Sequence, residues 1–476
     1  MSREAASMSP RDKGLALLVL VVALVLEIVD MTIVNTALPA IQRGVGADPV
    51  HSQWIVAGYS LSFALLLMAG GRLGDSYGYR RVFVLGVAGF TVASVACGLA
   101  RSGEELVAAR LLQGATGAIM APQSMALLQV LFDPLERVAK LALFGVIGGL
   151  AAIAGPILGG LLIEADLFGL GWRLVFLVNL PVGIVAVAAA LRYLPHNRAH
   201  GHGGYDLAGI ALFGAAVAAL LWPLIGMENG AGRVGSVASL AAVVPLCWLG
   251  WRHVAGRAAQ GRPALFDPSI LAIPTFRLGL IMSVAFAAAN GGFLLVFAFA
   301  LQSERGQTPL MTGLLHMPFG FGAMFGIGFL SRKLLPRHGK LIPALGGLLM
   351  AGSAAMVLAA IGLGWPLVIA APGMVLAGVG MGMTTGSIGP ITFAQMDRAH
   401  AGAASGLLKT CQQLGSALGV ALAGSAYFGW AAMLGAEPAL LAGGVVAALL
   451  GCCTISALRL PQAIFSAAKS AHAVPA

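Results

Sequence analysis

Fourteen long apolar segments follow one another along the chain, and they leave few choices of fold. The first covers residues 14–38 and the last covers residues 436–458, whereas one bilayer-spanning helix needs about 20 predominantly apolar residues. Of the 476 residues, 59% are apolar and only 10% are charged, against roughly 25% charged in a typical soluble domain. Because lipid satisfies no backbone hydrogen bonds, such segments must form helices. The sequence therefore predicts an all-α integral membrane protein and excludes water-soluble enzymes and nucleic-acid-binding modules.

The basic residues orient these fourteen segments. If the N-terminus lies in the cytoplasm, most of the 28 Lys and Arg residues fall in cytoplasmic loops, and Arg110 falls inside a span. The external arginines are then Arg43, Arg101, Arg173, Arg233 and Arg305. This asymmetry follows the positive-inside rule and accounts for the net charge of +10. The sequence predicts a multi-pass protein of the cell (inner) membrane with both termini in the cytoplasm.

A weak internal repeat predicts how the spans are grouped. The loops at residues 71–81 and 328–340 both begin Gly-x-Leu, carry several basic residues and include a Gly before the next span. They lie eight spans apart, which fits a six-span repeat with two further spans inserted between its copies. Proteins built from parallel repeats show this arrangement. We expect a six-helix bundle at 1–200, two inserted transmembrane helices at 201–262, and a second six-helix bundle at 263–476.

Two acidic residues stand in the first span. Glu27 and Asp30 are three residues apart, so they share one face of the helix. Acidic residues inside a membrane are costly and are functional hypotheses by default. Both are candidates for proton coupling, and Asp30 is the stronger one. The alternative is a structural carboxylate that Thr32, Asn35 or a neighbouring helix satisfies.

Arg110 in the fourth span is the basic counterpart of these acids. An unpaired arginine in a membrane span would be too costly, so the sequence predicts a carboxylate or carbonyl partner for it. We include Arg110 among the candidates for proton coupling. The alternative is a structural arginine near the end of the span whose guanidinium reaches the interface.

The loop at 71–81 and the fifth span hold candidate gating elements. In the loop, Gly78 permits a tight turn, and Arg80 and Arg81 can bind anionic lipid headgroups. A topogenic basic loop would explain those arginines but not Asp75. In the fifth span, Pro156 lacks a backbone donor and the glycines around it allow another helix to come close, which permits a bend; simple tight packing is the alternative. The gating and conformational candidates are Gly71, Asp75, Gly78, Arg80, Arg81, Gly155, Pro156 and Gly159.

These motifs carry a family resemblance. Residues 29–39, VDMTIVNTALP, are similar to the first-helix signature of the fourteen-helix drug:proton antiporters of the major facilitator superfamily, with Val29 in place of Leu. The loop at 71–81, the RLLQG run that begins at Arg110 and the Gly-Pro run at 149–160 resemble three further signatures of that superfamily. Residues 172–183, 205–209 and 401–415 resemble others, in the order of the family.

The resemblance implies the major facilitator fold and specific roles for several residues. It implies that Asp30 takes part in proton coupling and Arg110 in proton transfer. It also implies that Asp75 meets a helix N-terminus of the second bundle when the protein is open to the outside. A proton gradient then takes the place of a cofactor, and the sequence has no phosphate-cradling motif that would couple it to a nucleotide.

Other polar residues are candidates for a substrate cavity. They are Asn35, Gln113, Gln123, Asn290, Gln302 and His316. For His316, a packing histidine is the stronger interpretation. A solvated basic loop explains His196, His200 and His202 better than a metal site does, and we predict no metal site.

The leading functional hypothesis is a proton-coupled exporter of lipophilic drugs or related small organic compounds, which works by alternating access and is not an enzyme. One alternative keeps the fold but imports or facilitates passage of a small polar metabolite. A less favoured alternative is a membrane-embedded transferase, which would need clustered polar groups near one interface. The expected partners are protons, the small-molecule substrate and membrane lipids, without nucleic acid. A periplasmic adaptor is a candidate partner, and without one we expect a monomer.

Overall fold

A computed structural model describes residues 8–196, 204, 206–226, 233–397 and 401–461, and these residues form helices and loops without a strand. Fourteen helices in this described part of the chain are long enough to cross a bilayer. In chain order they are α1 (Pro10–Val45), α2 (Pro49–Tyr77), α3 (Tyr79–Leu99), α4 (Gly103–Leu131), α5 (Pro134–Ala165), α6 (Gly171–Tyr193), α7 (Leu207–Gly226), α8 (Arg233–Ala259), α9 (Pro274–Glu304), α10 (Pro309–His338), α11 (Leu341–Gly362), α12 (Leu367–Thr392), α13 (Ala404–Leu434) and α14 (Pro438–Leu458).

Within the described residues, 13 helices are both long and apolar enough to cross a membrane. The remaining long helix, α4, has 29 residues but is less apolar, because it carries Glu104, Glu105 and Arg110 together with glutamines. Helix α4 packs against α2 and α3, and its polar residues Arg110, Gln113 and Gln123 are buried. The prediction of an all-α membrane protein is confirmed.

Local sequence signals set the helix ends. Ser9 caps α1 by accepting a hydrogen bond from the Asp12 amide at 3.1 Å, and Gly46 ends the helix in a left-handed conformation with φ of 63°. Gly78 alone separates α2 from α3. Its φ is 92°, a conformation that L side chains rarely adopt, and its amide donates to the Gly74 carbonyl at 2.8 Å. Residues 71–81 thus comprise the end of α2 and the start of α3, joined by one sharp turn at Gly78.

The chain separates into two compact units. Unit 1 comprises Met1–Gly214, Ala259–Leu265 and Thr308–Gly313, and unit 2 comprises Ala215–Ala258, Phe266–Gln307 and Leu314–Ala476. The boundary after Gly214 lies inside α7, so most of α7 and α8 belongs to unit 2. The predicted division at residues 200 and 262 follows sequence repeats rather than packing, and it stays a prediction.

Small residues allow close helix packing in both units. In unit 1, Gly70 of α2 lies against the backbone of Ala118 in α4. In unit 2, Gly419 of α13 lies against the backbone of Ala288 in α9. Because lipid is as apolar as the side chains, helices in membranes associate through this kind of close contact rather than through the hydrophobic effect. The glycines of the apolar segments therefore position the helices that carry the buried polar residues.

Gly70→Ala is expected to lower the melting temperature of the purified protein, whereas Gly71→Ala leaves it almost unchanged. A Cβ atom at residue 70 would overlap the carbonyl oxygen of Ala118, which belongs to the backbone and can move only with α4. A Cβ atom at residue 71 would meet only Pro122 Cβ, at 3.9 Å. Overpacking of this kind costs about 1–3 kcal/mol. Thermal unfolding of both variants in detergent tests the difference, and equal melting temperatures would contradict the close approach of α2 and α4.

Candidate functional site

The acid Asp30 is completely buried in unit 1, where it forms an ion pair with Arg110. Helix α1 carries Asp30 and helix α4 carries Arg110, and the two residues are 80 positions apart in the chain. Arg110 Nη1 lies 2.6 Å from Asp30 Oδ2, and the arginine side chain is only 2% exposed. Both side chains of this ion pair are therefore buried. The pair brings together the two strongest sequence candidates for proton coupling.

The second oxygen of Asp30 accepts two amide hydrogen bonds. Gln113 Nε2 donates to Oδ1 at 2.7 Å, and Asn179 Nδ2 donates to it at 3.2 Å. The hydroxyl of Ser94 accepts from the same two amides, at 2.9 Å from Gln113 and 2.8 Å from Asn179. Helices α1, α3, α4 and α6 thus meet at one carboxylate. We call Asp30, Ser94, Arg110, Gln113 and Asn179 the Asp30 cluster.

Arg110 has further partners that hold its guanidinium in place. Its Nε donates to the Ile55 carbonyl at 3.1 Å, and Nη1 also lies 2.6 Å from Gln113 Oε1. The guanidinium carbon stands 4.2 Å from the centre of the Tyr59 ring and 5.8 Å from that of Phe176. Arginine over an aromatic face gains a cation–π interaction that strengthens when water is excluded. The prediction of a carboxylate or carbonyl partner is confirmed, and the alternative of an arginine that reaches the interface does not fit this burial.

The charge balance of this arrangement depends on the carboxylate of Asp30. The ionised form of Asp30 receives one charged donor and two amide donors, which compensate for its removal from water. A proton on the carboxyl group would cancel its charge and leave Arg110 as a buried cation with only neutral acceptors. Since an uncompensated buried charge is strongly unfavourable, such a change would favour a different arrangement of the helices. The role of Asp30 in proton coupling stays a prediction.

The other polar residues of the first span have different surroundings. Glu27 is 4% exposed and lies one turn before Asp30 on the same helix. Thr32 Oγ1 donates to the Ile28 carbonyl at 2.9 Å, and Asn35 Nδ2 donates to the Met31 carbonyl at 3.4 Å. Thr32 and Asn35 thus donate to backbone carbonyls of α1 itself. The hydrogen bonds to the Asp30 carboxylate come from neighbouring helices.

The Gly-Pro run of α5 packs against α1 just after Asp30. A Cβ atom at Gly155 would overlap Thr32, and one at Gly159 would lie 3.1 Å from the Ile33 carbonyl oxygen. Pro156 stands between these two close approaches. The three candidate residues therefore bring α5 against the segment of α1 that begins two residues after Asp30. Their conformational role stays a prediction.

The loop at 71–81 lies at the ends of α2 and α3. Asp75 is exposed and accepts a hydrogen bond from the Tyr79 hydroxyl at 2.7 Å. Arg80 Nη1 lies 2.6 Å from a ring nitrogen of His196, and Nη2 donates to the Leu191 carbonyl. Arg81 is exposed. Arg80 thus ties the turn to the end of α6, and the gating role of this loop stays a prediction.

The candidates for a substrate cavity are divided between the units. Gln113 belongs to the Asp30 cluster, and Gln123 Nε2 donates to the Gly70 carbonyl at 2.7 Å. Asn290 and Gln302 on α9 and His316 on α10 belong to unit 2, where Gln302 is 7% exposed and His316 is 8% exposed. Contact of these residues with a substrate stays a prediction. His200, His202 and Tyr205 lie outside the described residues.

Sequence reasoning missed two members of the Asp30 cluster. Asn179 lies in the motif at 172–183, which carried a family resemblance but no assigned role. Ser94 lies in an apolar span with no motif around it. Asn179 could have been singled out as a polar residue in the sixth span. Its partner Asp30, however, is 149 positions away in the chain. The sequence alone held no signal that joins it to Asp30.

Comparisons with known proteins agree with this architecture. The sequence profile of the Major Facilitator Superfamily matches residues 20–420. A probable actinorhodin transporter of Streptomyces coelicolor is 39% identical over 429 residues, which are 87% of this chain and 72% of that protein. The tetracenomycin C resistance and export protein of Streptomyces glaucescens is 32% identical over 410 residues, 86% of this chain and 74% of that protein.

Solved structures share the fold. A bacterial homologue of the human lysosomal transporter Spinster, in an inward-facing and occupied conformation, is 18% identical and superimposes with a TM-score of 0.66. The match covers 97% of this chain and 98% of that chain. At this identity the similarity concerns the fold alone, and the predicted fold class is confirmed. Since the superfamily profile extends from α1 into α13 and thus includes every helix of the Asp30 cluster, the chain belongs to the Major Facilitator Superfamily.

Proposed function

We propose that the protein exports lipophilic drugs or related small organic compounds from the cell in exchange for protons. The observation that carries the proposal is the buried pair of Asp30 and Arg110 in a membrane-spanning chain. The names of two relatives, an actinorhodin transporter and a tetracenomycin C resistance and export protein, support export of antibiotics as the activity. We further propose the inner membrane as its location, with both termini in the cytoplasm.

In this mechanism Asp30 is the proton carrier. A proton that enters from outside neutralises the carboxyl group and weakens its hold on Arg110 and Gln113. The helices α1 and α4 then change their relative position, which favours the state open to the cytoplasm. Release of the proton to the cytoplasm restores the ion pair. The membrane potential supplies about 2.3 kcal/mol per charge per 100 mV, to which a pH gradient adds.

Membrane vesicles of both orientations test the direction and the coupling. Inverted vesicles with an acidic interior are expected to accumulate an exported dye, and the interior should become less acidic as the dye enters. Right-side-out vesicles without an internal substrate should not accumulate it. A panel of cationic, neutral and anionic fluorescent dyes finds the transported class, and an uncoupler should abolish accumulation.

The same assay decides against the proposal if the outcome is reversed. Accumulation only in right-side-out vesicles would favour an importer or facilitator. Accumulation that persists with an uncoupler and without a pH change would leave export without proton coupling. Vesicles from cells without the protein serve as the control.

A further inference from the structure

His316 belongs to a cluster of aromatic side chains within unit 2. The His316 ring on α10 lies 5.1 Å from the Phe319 ring and 6.3 Å from the Phe297 ring on α9, measured between centroids. Phe293 completes the group, 5.8 Å from Phe297 and 5.9 Å from Phe319. We call these four residues the α9–α10 aromatic cluster. The three phenylalanines are at most 3% exposed, and His316 is 8% exposed.

Two polar groups at this cluster have unused hydrogen-bonding capacity. Within the part of the chain that the structure describes, the contacts of His316 are with the rings of Phe297 and Phe319, and neither of its ring nitrogens has a hydrogen-bond partner. Asn290 Oδ1 is buried without a partner among those same residues. Buried polar atoms are nearly always paired in folded proteins, so Asn290 Oδ1 needs a partner, and the His316 nitrogens are available to one. A neutral histidine offers one donor and one acceptor, and the asparagine oxygen is an acceptor.

The geometry of α9 gives the extent of the site. Asn290, Phe293 and Phe297 are spaced three and four residues apart, so they share one face of the helix. Asn290 and Phe297 are seven residues apart, which is about 10 Å along the helix axis. The face thus carries an acceptor at one end and, at the other, aromatic rings beside His316. Its length suits a molecule of two or three fused rings.

The charges of the buried residues indicate that the ligand is neutral at this face. Among the described residues, the buried acidic and basic side chains are assigned to unit 1; they are Glu27, Asp30, Arg110 and Asp206. The buried polar side chains of unit 2 are serines, threonines, glutamines and His316. A buried face without an opposite charge disfavours an ionic group. Aromatic rings and hydrogen-bond acceptors together favour a flat ring system that carries a hydroxyl donor.

We propose that the α9–α10 aromatic cluster, with His316 and Asn290, binds an uncharged fused aromatic molecule that carries a phenolic hydroxyl group. Because the phenylalanine rings are at most 3% exposed in this structure, binding requires them to move apart, after which the ligand rings pack against them. The hydroxyl donates to the unprotonated nitrogen of His316 or to Asn290 Oδ1. The proposal rests on the proposed function, since it names a substrate class for the same exporter. It assigns to His316 a ligand contact rather than the packing role that its sequence context favours.

A matched pair of probes tests the hydroxyl contact. The full-length protein in lipid nanodiscs is dialysed against 2-naphthol or 2-methoxynaphthalene, with empty nanodiscs as the blank. The two compounds share their rings, but the ether has no donor. We expect the protein to bind 2-naphthol roughly tenfold more tightly, because the ether leaves the acceptors unpaired. Equal affinity for the two probes would overturn the proposal.

Variants assign the preference to the cluster. His316→Phe keeps an aromatic ring and removes both nitrogens, so the preference for 2-naphthol should fall several-fold while binding of 2-methoxynaphthalene persists. Asn290→Leu provides a second, independent removal of an acceptor and should also reduce the preference. His338→Phe, at an exposed position of the same helix, should behave as the wild type does. If both His316→Phe and Asn290→Leu keep the full preference, the assigned site is wrong.

Transport of the same probes separates this inference from the function on which it rests. If 2-naphthol binds with the expected preference but inverted vesicles do not accumulate it, the binding site stands and export of this class fails. If vesicles accumulate other dyes but the protein shows no preference between the two probes, export stands and the phenolic site is overturned.

Discussion

Asp30→Asn is expected to abolish pH-driven efflux while the protein stays folded and inserted in the membrane. The amide has the shape of the carboxyl group, and its oxygen can still accept from Arg110. Arg110 also keeps the Ile55 carbonyl and Gln113 Oε1 as acceptors, so its side chain still has hydrogen-bond partners in the variant. The amide neither binds nor releases a proton in the physiological pH range, so the step that we assign to Asp30 is lost.

Two transport assays in proteoliposomes separate coupling from substrate binding. An imposed pH gradient drives net transport, whereas exchange of labelled for unlabelled substrate needs no net proton movement. We expect the Asp30→Asn variant to lose the first and keep the second. Asp133→Asn is the matched control, because Asp133 is exposed at the start of α5 and its side chain makes no capping hydrogen bond. Normal pH-driven transport by Asp30→Asn would contradict the assignment of the proton carrier.

Arg110→Gln is expected to lower the free energy of unfolding more than Asp30→Asn does. Removal of one partner of a buried ion pair leaves the other as an uncompensated charge and costs about 3–5 kcal/mol. Arg110 also contributes the hydrogen bond to Ile55 and the stacking against Tyr59, so its removal affects α2 as well as α1. The melting temperature in detergent should fall well below that of Arg101→Gln, a change at an exposed arginine.

The double variant Asp30→Asn/Arg110→Gln isolates the contribution of the pair. With both charges removed, neither member of the pair is left as an unpaired buried ion, so the double variant should be more stable than Arg110→Gln alone. It should still lack pH-driven transport, because it has no carboxyl group at residue 30. If its stability loss equals the sum of the two single losses, the two side chains do not interact and the ion pair has no energetic role.

The sequence predicted the members of the ion pair but not the pair itself. Asp30 and Arg110 were singled out because ionisable groups inside a membrane are costly. The prediction that Arg110 needs a partner followed from the same cost. Which partner it has could not follow, since helical periodicity reveals the face of a helix and not the helix that packs against it.

Neutral polar residues were harder to interpret than the charged ones. Gln113 was predicted to line a substrate cavity, and the structure places it in hydrogen-bond contact with Asp30. Its contact with a substrate stays untested. Gln123 was predicted for the same cavity, and it bonds the backbone of Gly70 towards the end of α2. An amide can serve as a ligand contact, a helix cap or a network member, and only its neighbours distinguish these uses.

The sequence by itself determined that this protein lies in a lipid bilayer, that its fold is all-α and how many long helices it has. The physical reason is that lipid offers no hydrogen bonds, so each apolar segment of sufficient length must close its own backbone bonds as a helix. The tertiary structure decided the site. It joined Asp30 to residues 80 and 149 positions away, and it placed His316 of α10 against Phe297 of α9 and Phe319. Contacts between helices depend on which small residues allow close approach, and that depends on both partners at once.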